Sequence, residues 1–170
     1  MRDKQEKGLP WGRVLLLILV GCAMLPAQTG AAFERIKGLE GQWKGKSGDG
    51  SPATTSFHTT AAGSAVLQML GEGGQYEMPT VYHPDGERLM ATHYCASKNQ
   101  PRMVLAPASA VTSILRFEFL DATNLSSPEA SHMIGVAIEF VDKDHIRQHW
   151  TSRDHGKEST DVFDFVRSRN

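Results

Sequence analysis

Ten short runs of alternating apolar and polar residues fill almost everything after residue 41 of this 170-residue chain. They fall near 42–48, 53–60, 64–71, 77–83, 87–95, 102–106, 113–120, 132–141, 144–153 and 158–168, with Gly, Pro, Asp or Asn between them. A period of two puts alternate side chains on opposite faces of a strand, one buried and one solvated. Links this short join antiparallel neighbours. An open sheet of that kind leaves two unpaired edges, and closing it into a tube removes both. The expected fold is therefore all-β, an antiparallel up-and-down barrel of about ten strands. One segment departs from the pattern. "FERIKGL" (33–39) spaces Phe33, Ile36 and Leu39 three apart, and Gly38 and Gly41 close it, which predicts a short N-terminal helix.

The first 32 residues read as a leader. Arg2, Lys4, Lys7 and Arg13 outweigh Asp3 and Glu6, and "VLLLILVGCAML" (14–25) forms an apolar stretch that ends at Pro26. Those 12 residues fall short of the roughly 20 that a membrane-spanning helix needs. "AQTGAA" offers the small residues of a signal peptidase site, which predicts a cut near Ala31 or Ala32 and a barrel domain over 33–170. "LVGC" (19–22) also fits a lipobox, so lipidation at Cys22 is the alternative processing. Either route places the mature chain outside the cytoplasm: secreted, periplasmic, or anchored by lipid to an outer membrane.

After a cut beyond Cys22 only Cys95 remains, so no internal disulfide can form. From residue 33 onward 14 Lys and Arg stand against 17 Asp and Glu. No basic stripe appears, which argues against nucleic acid as a partner. No P-loop, HExxH, CxxC or GxSxG is present. The expected partner is a small apolar or amphipathic molecule, bound by a monomer or homodimer.

Alternation proposes the inward rows: Leu115, Phe117 and Phe119; Ile134, Val136, Ile138 and Phe140 with His132 at the end; Ile146, Gln148 and Trp150; Phe163 and Phe165. "HPDGE" (83–87) predicts a turn over Pro84, Asp85 and Gly86, which sets His83 opposite Glu87 and His93 opposite Glu77. In that register His83 and His93 are too far apart to share a metal ion, so no metal site is expected. Two sets compete for the inside of the fifth strand: Leu89, Ala91, His93 and Cys95 against Met90, Thr92 and Tyr94.

"GLEGQWKG" (38–45), a short helix leading into Gly-x-Trp, resembles the start of lipocalin-like (calycin) barrels. That resemblance implies that Trp43 plugs one end of the barrel and that a late arginine, Arg167 or Arg169, packs on its ring. "TVYHPDGERLMATHYCASKNQPRM" (80–103) is similar to a motif of small secreted bacterial proteins of unknown function, which implies fold and export but no activity. "GQWKGKSGDG" (41–50) resembles the first strand of nitrobindin-type barrels, a more distant group that holds haem through a histidine. The later strands depart from the nitrobindin pattern. No cofactor is expected from the residues themselves, and haem enters only through this resemblance.

The polar cluster "THYCASKNQPR" supplies most of the candidate site. His93, Tyr94, Asn99, Gln100 and Arg102 would line a barrel mouth and orient a ligand head group, with His132, Gln148 and Trp150 contributing from the later strands. Gln148 is notable as an amide on an inward row, where it needs partners. No catalytic residue is assigned. An enzyme reading would use His93 or His132 as general acid–base and Arg102 to hold an anion. A third reading is a filled structural barrel of the cell envelope.

Overall fold

The computed structural model describes residues 28–72 and 76–169. Most of the expected leader, with the lipobox at 19–22, lies outside the described residues. Helix α1 covers 28–37. Ten strands follow: β1 Gly41–Ser47, β2 Pro52–Thr60, β3 Ala65–Glu72, β4 Tyr76–Asp85, β5 Arg88–His93, β6 Gln100–Leu105, β7 Ile114–Thr123, β8 His132–Asp142, β9 His145–Asp154 and β10 Lys157–Arg167. Each pairs antiparallel with the next, and β10 returns to β1 from Trp43↔Arg167 to Ser47↔Phe163, so the barrel is closed.

Closure brings β1 and β10 close at Gly45. An ideal Cβ there would sit 1.8 Å from the Asp164 carbonyl oxygen and 3.0 Å from Phe165 Cα, so only glycine lets the two backbones meet. Trp43 fills the end of the tube that α1 covers. It is fully buried, its Nε1–H donates to Leu39 O at 2.9 Å, and the Arg167 guanidinium carbon lies 4.2 Å from its ring centroid. Arg167 also donates to Glu40 O (2.6 Å) and Gly38 O (2.9 Å), which ties the chain entering β1 to the end of β10. Arg169 instead pairs with Asp144. The face of α1 carrying Ala32, Phe33 and Ile36, with Leu39 just after it, joins the barrel core. Arg35 reaches Thr112 O at 2.7 Å and lies 4.3 Å over the Phe140 ring.

The structure departs from the sequence expectation in the span of the helix, the β4–β5 turn and the alternation of β8, and it decides the face of β5 that the sequence left open. The helix already runs through residues 28–32, ahead of the expected start at 33, so most of the small residues read as a peptidase site lie in it, with Ala32 fully buried. The β4–β5 turn is Gly86–Glu87, because Asp85 pairs with Arg88 and Gly86 takes φ +60°. His93 therefore faces Thr80 and His83 faces Met90. On β5 the set Leu89, Ala91 and His93 points inward, and the strand ends before Cys95. On β8 a bulge between Met133 and Gly135 shifts the alternation. Met133 turns onto the core, whereas Ile134 lines an outer groove with His149 and Thr160. His132 thus does not cap the inward row.

Candidate functional site

A polar layer crosses the apolar interior. Gln68 on β3 and Gln148 on β9 meet across the lumen, although three strands separate them around the wall. Gln68 Nε2 donates to Gln148 Oε1 (2.9 Å) and to Thr55 Oγ1 (3.0 Å), and its Oε1 accepts from the Tyr82 hydroxyl (2.8 Å). Burial pushes the Tyr82 phenol far above its ordinary range, so it stays a donor. Gln148 Oε1 accepts a second hydrogen bond from Trp150 Nε1 at 3.2 Å. All five side chains are at most 1 % exposed.

These contacts fix the Gln148 amide. An indole N–H only donates, and Gln68 Nε2 is held as a donor by its own contacts, so the oxygen of Gln148 must face both. Gln148 Nε2 is left pointing elsewhere, buried, without a hydrogen-bond partner among the described residues. His93 repeats the situation. It is fully enclosed, Nδ1 lies 2.9 Å from Thr80 Oγ1, and its ring centroid sits 4.8 Å from that of Trp150. Its Nε2 is buried and unpartnered. Each buried polar atom left unpaired costs about 1–3 kcal/mol. Both residues touch Trp150, and each leaves a buried polar atom for which a further partner is wanting.

Burial lowers the His93 pKa to about 4, so the ring is neutral at physiological pH. The sign follows: between about pH 6.5 and pH 4 the unfolded chain takes up a proton that folded His93 refuses, so stability falls with pH across that window. The full effect is on the order of 3 kcal/mol. Urea denaturation at pH 7.5 and pH 4.5 is expected to show this loss, and His93→Gln to remove its share of the slope.

The other candidate residues serve the barrel mouth. Asn99 is buried and donates from Nδ2 to Ser131 O (2.8 Å), pinning the 94–99 turn to the loop after β7, while its Oδ1 has no partner. Gln100 Oε1 accepts from the Thr123 hydroxyl at 2.8 Å. Tyr94 is 47 % exposed. Cys95 Sγ accepts from the Ser97 amide at 3.4 Å within the same turn. Arg102 lies on the outer face, forked onto Asp121, which raises the guanidinium pKa and lowers that of the carboxylate. It does not converge with inward-facing His93, so the His93–Arg102 pairing of the enzyme reading is not assembled. Arg102→Ala is expected to leave the urea midpoint and any binding inside the barrel unchanged.

His132 is buried at the open end, Nδ1 2.6 Å from Ala130 O and its ring 5.1 Å from that of Phe119. Gln68, Tyr82, Thr80 and Thr55 were not singled out by sequence reasoning. The signal for Gln68 was present: like Gln148, it is a lone amide on an inward row, between Val66 and Leu70. The described residues contain no cluster of His, Cys, Asp and Glu able to hold a metal ion. No described helix is long and apolar enough to cross a membrane.

Comparison with known proteins places the architecture. No protein-family model matches the chain, and no curated protein sequence does. Among solved structures it is similar to a protein of unknown function of the DUF3598 family from Nostoc punctiforme PCC 73102, with TM-score 0.55 and 16 % identity over 78 % of this chain. That match covers 49 % of the neighbour, so the present chain spans about half its length. It is also similar to Rv2717c from M. tuberculosis, with TM-score 0.51 and 13 % identity over 81 % of this chain and 98 % of that one. At these identities the likeness is one of fold. The chain is a closed ten-stranded antiparallel β-barrel, as both the neighbours and its own strand pairing show.

Proposed function

We propose that the protein is an exported barrel that holds a small, partly apolar molecule in its interior, with the Gln148 amide and the His93 imidazole meeting the polar end. The observation that carries this reading is the fixed Gln148 amide, whose Nε2 hydrogens face no acceptor in a fully buried setting. A carbonyl or carboxyl oxygen is the complementary group, and neutral His93 Nε2 supplies a donor or an acceptor according to tautomer. The apolar rows around them would cover the remainder of the molecule.

The haem implied by the nitrobindin resemblance would take a histidine nitrogen end-on at its iron; His93 Nε2 has no other partner among the described residues, but the ring is fully enclosed, so a macrocycle would need the surrounding side chains to move aside. The resemblance to lipocalin-like barrels agrees with interior binding and with the packing of Arg167 on Trp43.

Thermal unfolding with octanoate, benzoate and hemin tests the reading. Octanoate or benzoate is expected to raise the midpoint in the wild type and to lose that effect in Gln148→Met. A filled structural barrel is the second reading, favoured by the fully buried Trp43, Trp150, Tyr82, Phe57, Phe117 and Phe165. There Gln148→Met would be neutral or stabilising, and none of the three compounds would shift the midpoint.

We infer export from the basic and apolar leader. A cut upstream of Thr29 would keep two contacts of the folded chain. Thr29 donates to Glu87 O (2.7 Å) and Ala32 is fully buried, and a cut after Ala32 would remove both contacts. Intact mass of the exported protein distinguishes lipidation at Cys22, a cut near residue 28 and a cut after Ala32.

A further inference from the structure

The ladder between β7 and β8 is shorter than either strand. It runs from Ile114↔Glu139 to Glu118↔Gly135, whereas β7 continues to Thr123 and β8 begins at His132. Past Glu118 the strands part, and residues 124–131 join their ends. A cleft of about 600 Å³ opens there to solvent. Phe119, Leu120, Leu125 and Pro128 form its apolar walls, and His132 and Arg153 its polar side.

We propose that this cleft is a binding site, separate from the barrel interior, for a small neutral amphipathic molecule that presents a hydroxyl or N–H donor to His132 Nε2. Three observations point to that class. First, the tautomer is fixed: the Ala130 carbonyl can only accept, so His132 Nδ1 carries the hydrogen, and Nε2 of the neutral ring is left as an acceptor. Nε2 makes no hydrogen bond to the described residues, although His132 is only 4 % exposed and lines the cleft. Second, both charges beside it are already answered. Arg153 is held by Glu158 at 2.6 Å, and Asp121 by Arg102, so nothing there selects an ion. Third, the walls include exposed apolar surface, with Leu120 41 % and Phe119 37 % open, which a covering apolar body would remove from water.

Residues 119–123 pair with β6 on one side only, and their edge toward β8 invites strand addition by a peptide. The topology opposes it, because loop 124–131 closes the far end of the gap and a through-running chain would collide with it. A compact molecule fits, since the volume lies within the roughly 300–1,000 Å³ of small-ligand pockets.

The test uses the full-length exported protein with 2-naphthol and its methyl ether, which lacks the donor. Binding is followed by fluorescence and by amide shifts in ¹⁵N-labelled protein. 2-Naphthol is expected to bind about fivefold tighter than the ether. Shifts should centre on 119–122, 125–128 and 132, in wild type and in Gln148→Met alike. His132→Phe keeps a ring against Phe119 but removes the acceptor, so the two probes should become equal. Leu120→Glu, at an exposed position that leaves the fold intact, should weaken both. Equal affinity of the two probes in the wild type, shifts confined to the barrel interior, no saturation, or loss of binding in Gln148→Met would each overturn the proposal.

Discussion

Replacing Trp43 by alanine is expected to destabilise the barrel by about 3–5 kcal/mol, a large part of what a domain of this size possesses. Three losses coincide. The indole leaves a void at the end sealed by α1, where nothing reaches solvent. Leu39 O loses its donor. Arg167 loses the ring beneath its guanidinium, 4.2 Å away, while remaining committed to Glu40 O and Gly38 O. Urea denaturation followed by far-ultraviolet circular dichroism reads the effect. Trp43→Phe should recover part of it, because the aromatic surface under Arg167 returns and only the Nε1–H and some volume stay missing. A loss below about 1 kcal/mol for Trp43→Ala would mean that the helix-covered end is not closed as described.

Gly45→Ala is expected to be equally severe for a different reason. The added methyl carbon would stand 1.8 Å from a backbone carbonyl oxygen of β10. No rotamer relieves the clash, because a Cβ has no torsion of its own and the obstacle is the main chain of β10. The β1–β10 seam must part by more than an ångström, at the cost of ladder hydrogen bonds that exist only because the sheet is closed. Loss of cooperative unfolding, or recovery only as aggregates with exposed strand edges, is the expected outcome. A variant that folds with wild-type stability would show that the two strands do not meet at this register.

Much of this architecture was legible because it follows from local pattern. Period-two alternation placed ten strands within a few residues of where they lie, and the Gly-x-Trp start led to the observed contact between Trp43 and Arg167. What escaped the sequence depends on register. The bulge that turns Ile134 outward and Met133 inward leaves no mark in composition, since both are apolar. The β4–β5 turn was misplaced because Pro84 and Asp85 are good turn residues that here belong to the strand. The error matters for the site, because only the correct register puts Thr80 beside His93. The candidate site divides for the same reason. His93, Gln148 and Trp150 come together inside. Asn99 and Gln100 stitch the mouth, Arg102 faces out with Asp121, and His132 borders the lateral cleft.

The central claim is that a closed barrel presents an unanswered amide and imidazole to a guest molecule. Native mass spectrometry of the purified protein, followed by acid denaturation of the same sample, addresses it most directly. The expected result is one small molecule of extra mass per barrel, released on denaturation and absent from Gln148→Met. A native mass equal to that of the polypeptide alone, in repeated preparations and after incubation with octanoate and benzoate, would contradict it.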